Sequence, residues 1–153
     1  MKRITKRVLL LIVAAAVAAG GCLGYLLWRG EHADTHSVII DIGVSERFTQ
    51  KERRAAAKVA LGELKGYRGC TIQAIYYDEA YSIRQAASYI DQPQYSIYGL
   101  DPENIIVLRS DFHVSAEAGD TGFEPNTDAI GWDWYLIRDG KDQPWKEYSH
   151  GWG

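Results

Sequence analysis

The hydrophobic pattern of this chain changes its period several times, and each change predicts a different element. From Val8 to Trp28 the sequence reads VLLLIVAAAVAAGGCLGYLLW, 21 positions without a charged side chain. At ~1.5 Å per residue a helix of that length spans roughly 30 Å, the thickness of a hydrocarbon core. The run therefore predicts a transmembrane helix within residues 1–30, followed by a polar juxtamembrane linker over residues 31–37. Residues 38–153 then form one extracytoplasmic domain.

Val38 to Val44 (VIIDIGV) is a short apolar stretch, either a first strand or a packing arm. Thr49 to Leu64 has helical periodicity. Ala55, Ala56, Ala57, Val59, Ala60, Leu61 and Leu64 fall on one side, and Lys51, Arg54, Lys58 and Lys65 on the other. Thr49 and Glu52 have the spacing of a capping box, in which each side chain takes up the other's free backbone N–H. The basic stripe suits a solvated face, or an anionic lipid surface or polymer.

After Gly69 the period drops to two. Cys70, Ile72, Ala74 and Tyr76 alternate with Thr71, Gln73, Ile75 and Tyr77, which predicts a strand. Asp78 to Asp91 is ambiguous, with Ser82–Tyr89 able to form a short helix. Strands follow at Ile105–Val114, Trp132–Arg138 and Trp145–Trp152, separated by a polar loop over Ser115–Ile130 and a hairpin connection over Asp139–Pro144. One helix followed by hairpin-linked strands predicts an α+β domain: a long helix packed on one face of a curved antiparallel sheet of about four strands.

Charge sharpens the topology. Five of the 17 basic residues (Lys2, Arg3, Lys6, Arg7, Arg29) lie in the first 30 positions and none of the 20 acidic ones do. Four of those cations precede the apolar run, so the positive-inside rule places the N-terminus in the cytoplasm and the domain outside. The rest of the chain sets 12 cations against 20 anions, a balance of about −8 that repels phosphate backbones and argues against nucleic-acid binding.

Cys22 opens two other readings of the same segment. Ala19-Gly20-Gly21-Cys22 has the outline of a lipobox, which would make Cys22 a lipidation site, although Ala19 stands where leucine is usual and the apolar run continues to Trp28. A cleaved signal peptide also ends in small residues. All three readings deliver the domain to the same side of the membrane. Cys70, alone in the domain, reads as a small buried hydrophobe.

Candidate chemistry is sparse. Asp111 and His113 occupy alternate positions of one strand and so share a face, where they could do acid–base work if that face lined a pocket. Trp132, Trp134, Trp145 and Trp152 crowd the C-terminal third, either as the core of a small sheet or as a ligand-stacking surface. The loop DTGFEPNTD (120–128) alternates oxygen-bearing side chains but lacks the glycine and closing glutamate of a calcium loop. His32 and His36 have helical spacing without a third ligand, so no metal site is predicted, and no motif implies a cofactor.

The segments NIIVLRSDF (104–112) and WDWYLIR (132–138), with Pro144-Trp145-Lys146 and the closing Gly151-Trp152-Gly153, resemble small extracytoplasmic domains of unknown function from Gram-positive bacteria, nearest the DUF4829-like group. The resemblance covers roughly residues 46–153 and implies a cystatin-like or NTF2-like fold, a helix wrapped by a curved sheet. It implies no catalytic residues. The expected function is a binding module at the cell envelope, tethered through residues 8–28, with an envelope component or another protein as partner. The alternative is a pocket enzyme using Asp111 and His113.

Overall fold

The computed structural model describes residues 20–21, 32–116, 118 and 122–153. The expected span, residues 8–28, and Cys22 lie outside them, apart from Gly20 and Gly21, which are helical. No helix among the described residues is long and apolar enough to cross a membrane.

The architecture corrects the expectation of one long helix on a four-stranded antiparallel sheet. Among the described residues, five strands form one mixed sheet: β1 (Ile39–Asp41), β2 (Cys70–Tyr76), β3 (Ile105–Val114), β4 (Thr127–Ile137) and β5 (Lys146–Trp152), in that spatial order. Two helices accompany them, α1 (Gln50–Leu64) and α2 (Glu79–Ile90). Strand β1 runs parallel to β2, with Ile40 opposite Ile75, and every other neighbouring pair is antiparallel. Parallel neighbours need a crossover, and α1 supplies it.

Helix α1 begins with the capping box its sequence predicts. The Thr49 hydroxyl accepts from the Glu52 N–H at 3.2 Å, and the Glu52 carboxylate accepts from the Thr49 N–H at 2.7 Å. Its buried face, Ala56, Ala57, Ala60 and Leu64, belongs to a core cluster with Ile72, Ile75, Ile106, Leu108, Phe112, Trp134 and Leu136. The small alanines let the helix approach the sheet closely.

The intervening residues of the same strands, Ile105, Val107 and Tyr135, form a separate cluster with Ala86 and Ile90 of α2. Alternation thus gives each face of the sheet its own helix, a three-layer arrangement in place of the cystatin-like or NTF2-like one. Asp78 caps α2 by accepting from the Tyr81 N–H at 2.6 Å. Beyond the end of β2, the buried N–H of Val107 donates to Ser82 Oγ at 2.9 Å, so a helix side chain satisfies a β3 donor.

Irregularities in the ladder decide which residues reach which face. The register shifts between Ile72 and Ala74, leaving Gln73 without an opposite residue on β3. This bulge reverses the phase of β2. Ile75, rather than Ala74, returns to the α1 core, and Tyr76 turns to the α2 side beside Asp111. The alternation read across Cys70–Tyr77 therefore holds only as far as Ile72. A second shift, between Ser110 and Phe112, falls at Gly131, whose φ of 73° suits glycine.

Candidate functional site

Asp111 and His113 share the α2 face, as their spacing requires, yet each is engaged elsewhere. Asp111 Oδ1 accepts from the Tyr76 hydroxyl at 3.0 Å and from the Gly131 N–H at 2.8 Å. His113 Nδ1 meets Asp128 Oδ1 at 2.8 Å on the surface, both side chains being about half exposed. The two form no acid–base couple with each other.

Beside Asp111 lies a polar knot that strand alternation alone does not reveal. Asp133 is fully buried and accepts from the hydroxyls of Tyr81 at 2.8 Å and Tyr135 at 3.3 Å. Arg109 Nε stands 3.8 Å from Asp133 Oδ1, and the guanidinium lies between two rings, 4.6 Å from the Tyr81 centroid and 5.4 Å from that of Tyr76. Burial pushes the Asp133 carboxyl up, against the hydroxyls and Arg109, which pull it down. Burial, together with Asp133, lifts the Tyr81 phenol to about 12, so it stays a hydrogen-bond donor at neutral pH. The knot joins the first turn of α2 to β3 and β4 and fixes the helix on the sheet.

The tryptophans divide into two kinds. Trp134 is wholly buried, its indole N–H donating to Ser110 Oγ at 2.9 Å. Trp145 is buried as well: its N–H donates to the Glu52 carbonyl at 3.1 Å, Phe48 meets it edge-on at 5.7 Å, and Arg138 lies 4.4 Å over its ring. It lines a groove of about 450 Å³ between α1 and the β4–β5 connection, where the Arg138 and Glu52 side chains are already paired at 2.6 Å. Both rings are part of the packing.

Trp132 and Trp152 differ. They are cross-strand partners at the end of the β4–β5 ladder, so their side chains fall on the same face, toward α1. Trp152 is 62% exposed and meets the half-buried Trp132 edge-on, with centroids 5.3 Å apart. The Trp132 indole N–H is buried on the side of the Tyr67 hydroxyl, whose pKa it helps to hold below the value burial alone would give. Phe123 packs edge-on against Trp132 at 5.1 Å and His150 lies beside it at 5.8 Å. Tyr67 completes the group 6.3 Å from His150, its phenol pushed up to about 12 by burial. The result is a half-open aromatic platform with a phenol and an imidazole at its margin.

Sequence reading singled out the two tryptophans of the platform and missed Tyr67, Phe123 and His150. The signal for His150 was present, since it stands two residues before Trp152 on the same strand. Tyr67 and Phe123 arrive from loops with no periodicity to place them. Cys70 is buried, and burial raises its thiol. Cys22, the possible lipidation site, lies outside the described residues. No family model, no curated protein and no solved structure matches the chain.

Proposed function

We propose that this chain is a membrane-tethered, extracytoplasmic binding module that holds a saccharide of the cell envelope on the Trp132–Trp152 platform. Residues 8–28 serve as the single span, with the preceding cations on the cytoplasmic side. The observation that carries the ligand reading is Trp152, a large ring left 62% exposed and held edge-on to Trp132. Ordered rings with a wet margin favour ligands that have both an apolar face and polar edges, as the two sides of a pyranose do. The neighbouring Tyr67 phenol and His150 imidazole supply the polar contacts.

Tryptophan emission of the full chain in detergent, titrated with oligomers of N-acetylglucosamine and with muropeptide-bearing wall fragments, tests this reading. Saturable quenching that Trp152→Ala abolishes is the expected result. Emission indifferent to every glycan, or binding that survives Trp152→Ala, sinks it.

A further inference from the structure

The edge of the sheet opposite Trp152 carries a second surface of different chemistry. All three residues of β1 are exposed, with Ile39 at 68% and Ile40 at 45%, and Val44 just beyond reaches 87%. Ile40 and Ile42 line a groove of about 410 Å³ with Ala57 and Leu61 of α1, and its remaining walls are Arg54 and Lys58. Lys65 and Arg68, both exposed, continue the positive charge toward and beyond the C-terminal end of the helix. A chain whose residues after position 30 sum to about −8 has thus collected cations and bare aliphatic side chains along one edge, beside the single β1 anion Asp41, whose carboxylate accepts from the Gly43 N–H at 3.0 Å.

The path of the chain says what this edge faces. Ala33 is buried and donates its N–H to the Lys65 carbonyl at 3.0 Å, and the Asp34 N–H donates to the Cys70 carbonyl at 2.8 Å. The domain therefore grips the chain from Ala33 onward. Only residues 29–32 separate that grip from the end of the apolar run at Trp28. Fully extended, that link reaches no more than about 18 Å. With residues 8–28 in a bilayer, the C-terminal end of α1, which carries Lys65, would stand within a short reach of its surface.

We propose that the β1–α1 edge lies on the anionic phospholipid surface that residues 8–28 enter, with Arg54 and Lys58 on phosphate groups and Ile39, Ile40 and Val44 at the acyl boundary. Aliphatic side chains rimmed by lysine and arginine are the composition of interfacial membrane contacts. The acidic remainder of the domain is repelled by the same surface, which selects this one orientation. The inference rests on the tethering read from residues 8–28.

The test uses the full chain in phosphatidylcholine vesicles with and without phosphatidylglycerol, carrying Cys22→Ser and an environment-sensitive fluorophore at Ile40→Cys, with Cys70 protected by burial. A label at Ile83→Cys, exposed on α2 across the sheet, is the control. The expected result is a blue shift at position 40, with quenching by spin-labelled lipid, in phosphatidylglycerol vesicles only. Both should be lost in Arg54→Glu/Lys58→Glu and in molar salt, where the screening length falls to about 3 Å. Equal signals at positions 40 and 83, or a shift indifferent to charge reversal, overturn the proposal. So does a shift that grows with protein density in phosphatidylcholine alone, which would make a second copy the occupant. Alkaline carbonate separates the two readings: chain stripped from the vesicles sinks the tether and the docking with it, whereas a silent label on carbonate-resistant chain sinks the docking alone.

Discussion

Gly131 lies directly beneath the guanidinium of Arg109, where a Cβ would overlap Nη2. Its φ of 73° adds a second reason for glycine at this point of β4. The left-handed conformation costs an L-residue roughly 1–2 kcal/mol, and displacing Arg109 from between Tyr76 and Tyr81 adds to that. Gly131→Ala should destabilise the domain by about 1–3 kcal/mol in denaturant titrations. In an Arg109→Ala background the cost should fall toward the backbone share alone. An equal cost in both backgrounds would show that the contact contributes nothing.

Trp134 and Trp152 should respond oppositely to truncation. Trp134→Ala opens a cavity in the main core and should cost about 3–5 kcal/mol, enough to lower the melting temperature sharply or abolish folding. Trp152→Ala removes a mostly exposed ring and should leave stability within about 0.5 kcal/mol. Melting curves of the two variants beside wild type decide this; a large loss from Trp152→Ala would make the platform a packing element.

Glu52 gives the fold an acid-sensitive component. Burial raises its carboxyl, but hydrogen bonds from Thr49 and Arg138 and the charge of Arg138 outweigh it and bring the group from 4.5 down to about 2. A depressed carboxylate stabilises the fold fully above its unfolded value and loses that contribution as pH falls toward the folded one. Wild-type stability should therefore decline between pH 4.5 and 2. Glu52→Gln, which keeps a capping-box side chain, should flatten that slope. A Gln variant with the wild-type slope would assign acid sensitivity to other groups.

Asp133 should act in the opposite sense. Its carboxyl is raised above 3.8, chiefly by burial, so the folded state holds the proton more tightly than the unfolded chain. Its contribution is present at low pH and declines as pH rises through the folded value. Asp133→Asn, which still accepts from Tyr81 and Tyr135, should gain stability relative to wild type as pH rises above 3.8. A constant difference across that range would show the carboxyl to be unshifted.

Topology is open to direct measurement. A reporter fused after Gly153 should be active only outside the cytoplasm, and cytoplasmic activity would reverse the orientation that the charges at Lys2, Arg3, Lys6 and Arg7 imply.

The elements written in local chemistry were the legible ones. Thr49 and Glu52 set the start of α1 because a capping box needs only residues three apart. The β4 sequence WDWYLI reports its two faces because its pairing with β3 is unbroken after Gly131, and the shift between Tyr135 and Leu136 in the β5 ladder leaves its extra residue, Tyr148, on β5. What depends on distant partners was hidden. Ile39–Asp41 is too short to carry a period, and it becomes a strand only when α1 brings it alongside β2. The bulge at Gln73 has no composition signal, yet it turns Tyr76 toward Asp111 and so completes the polar surroundings of Arg109. Helix α2 buries Ala86 and Ile90 against Ile105, Val107 and Tyr135, but its place on the sheet also depends on the Ser82–Val107 and Tyr81–Asp133 hydrogen bonds, whose partners lie far along the chain.

The order of the strands gives the domain a stature as well as a shape. Ile39 and Trp152 belong to the first and last strands of an unbroken row, four strand spacings apart. At ~4.8 Å each, those spacings amount to about 19 Å. A sheet standing on its β1 edge would raise the aromatic platform by that height, clear of lipid headgroups and into the layer where envelope polymers begin.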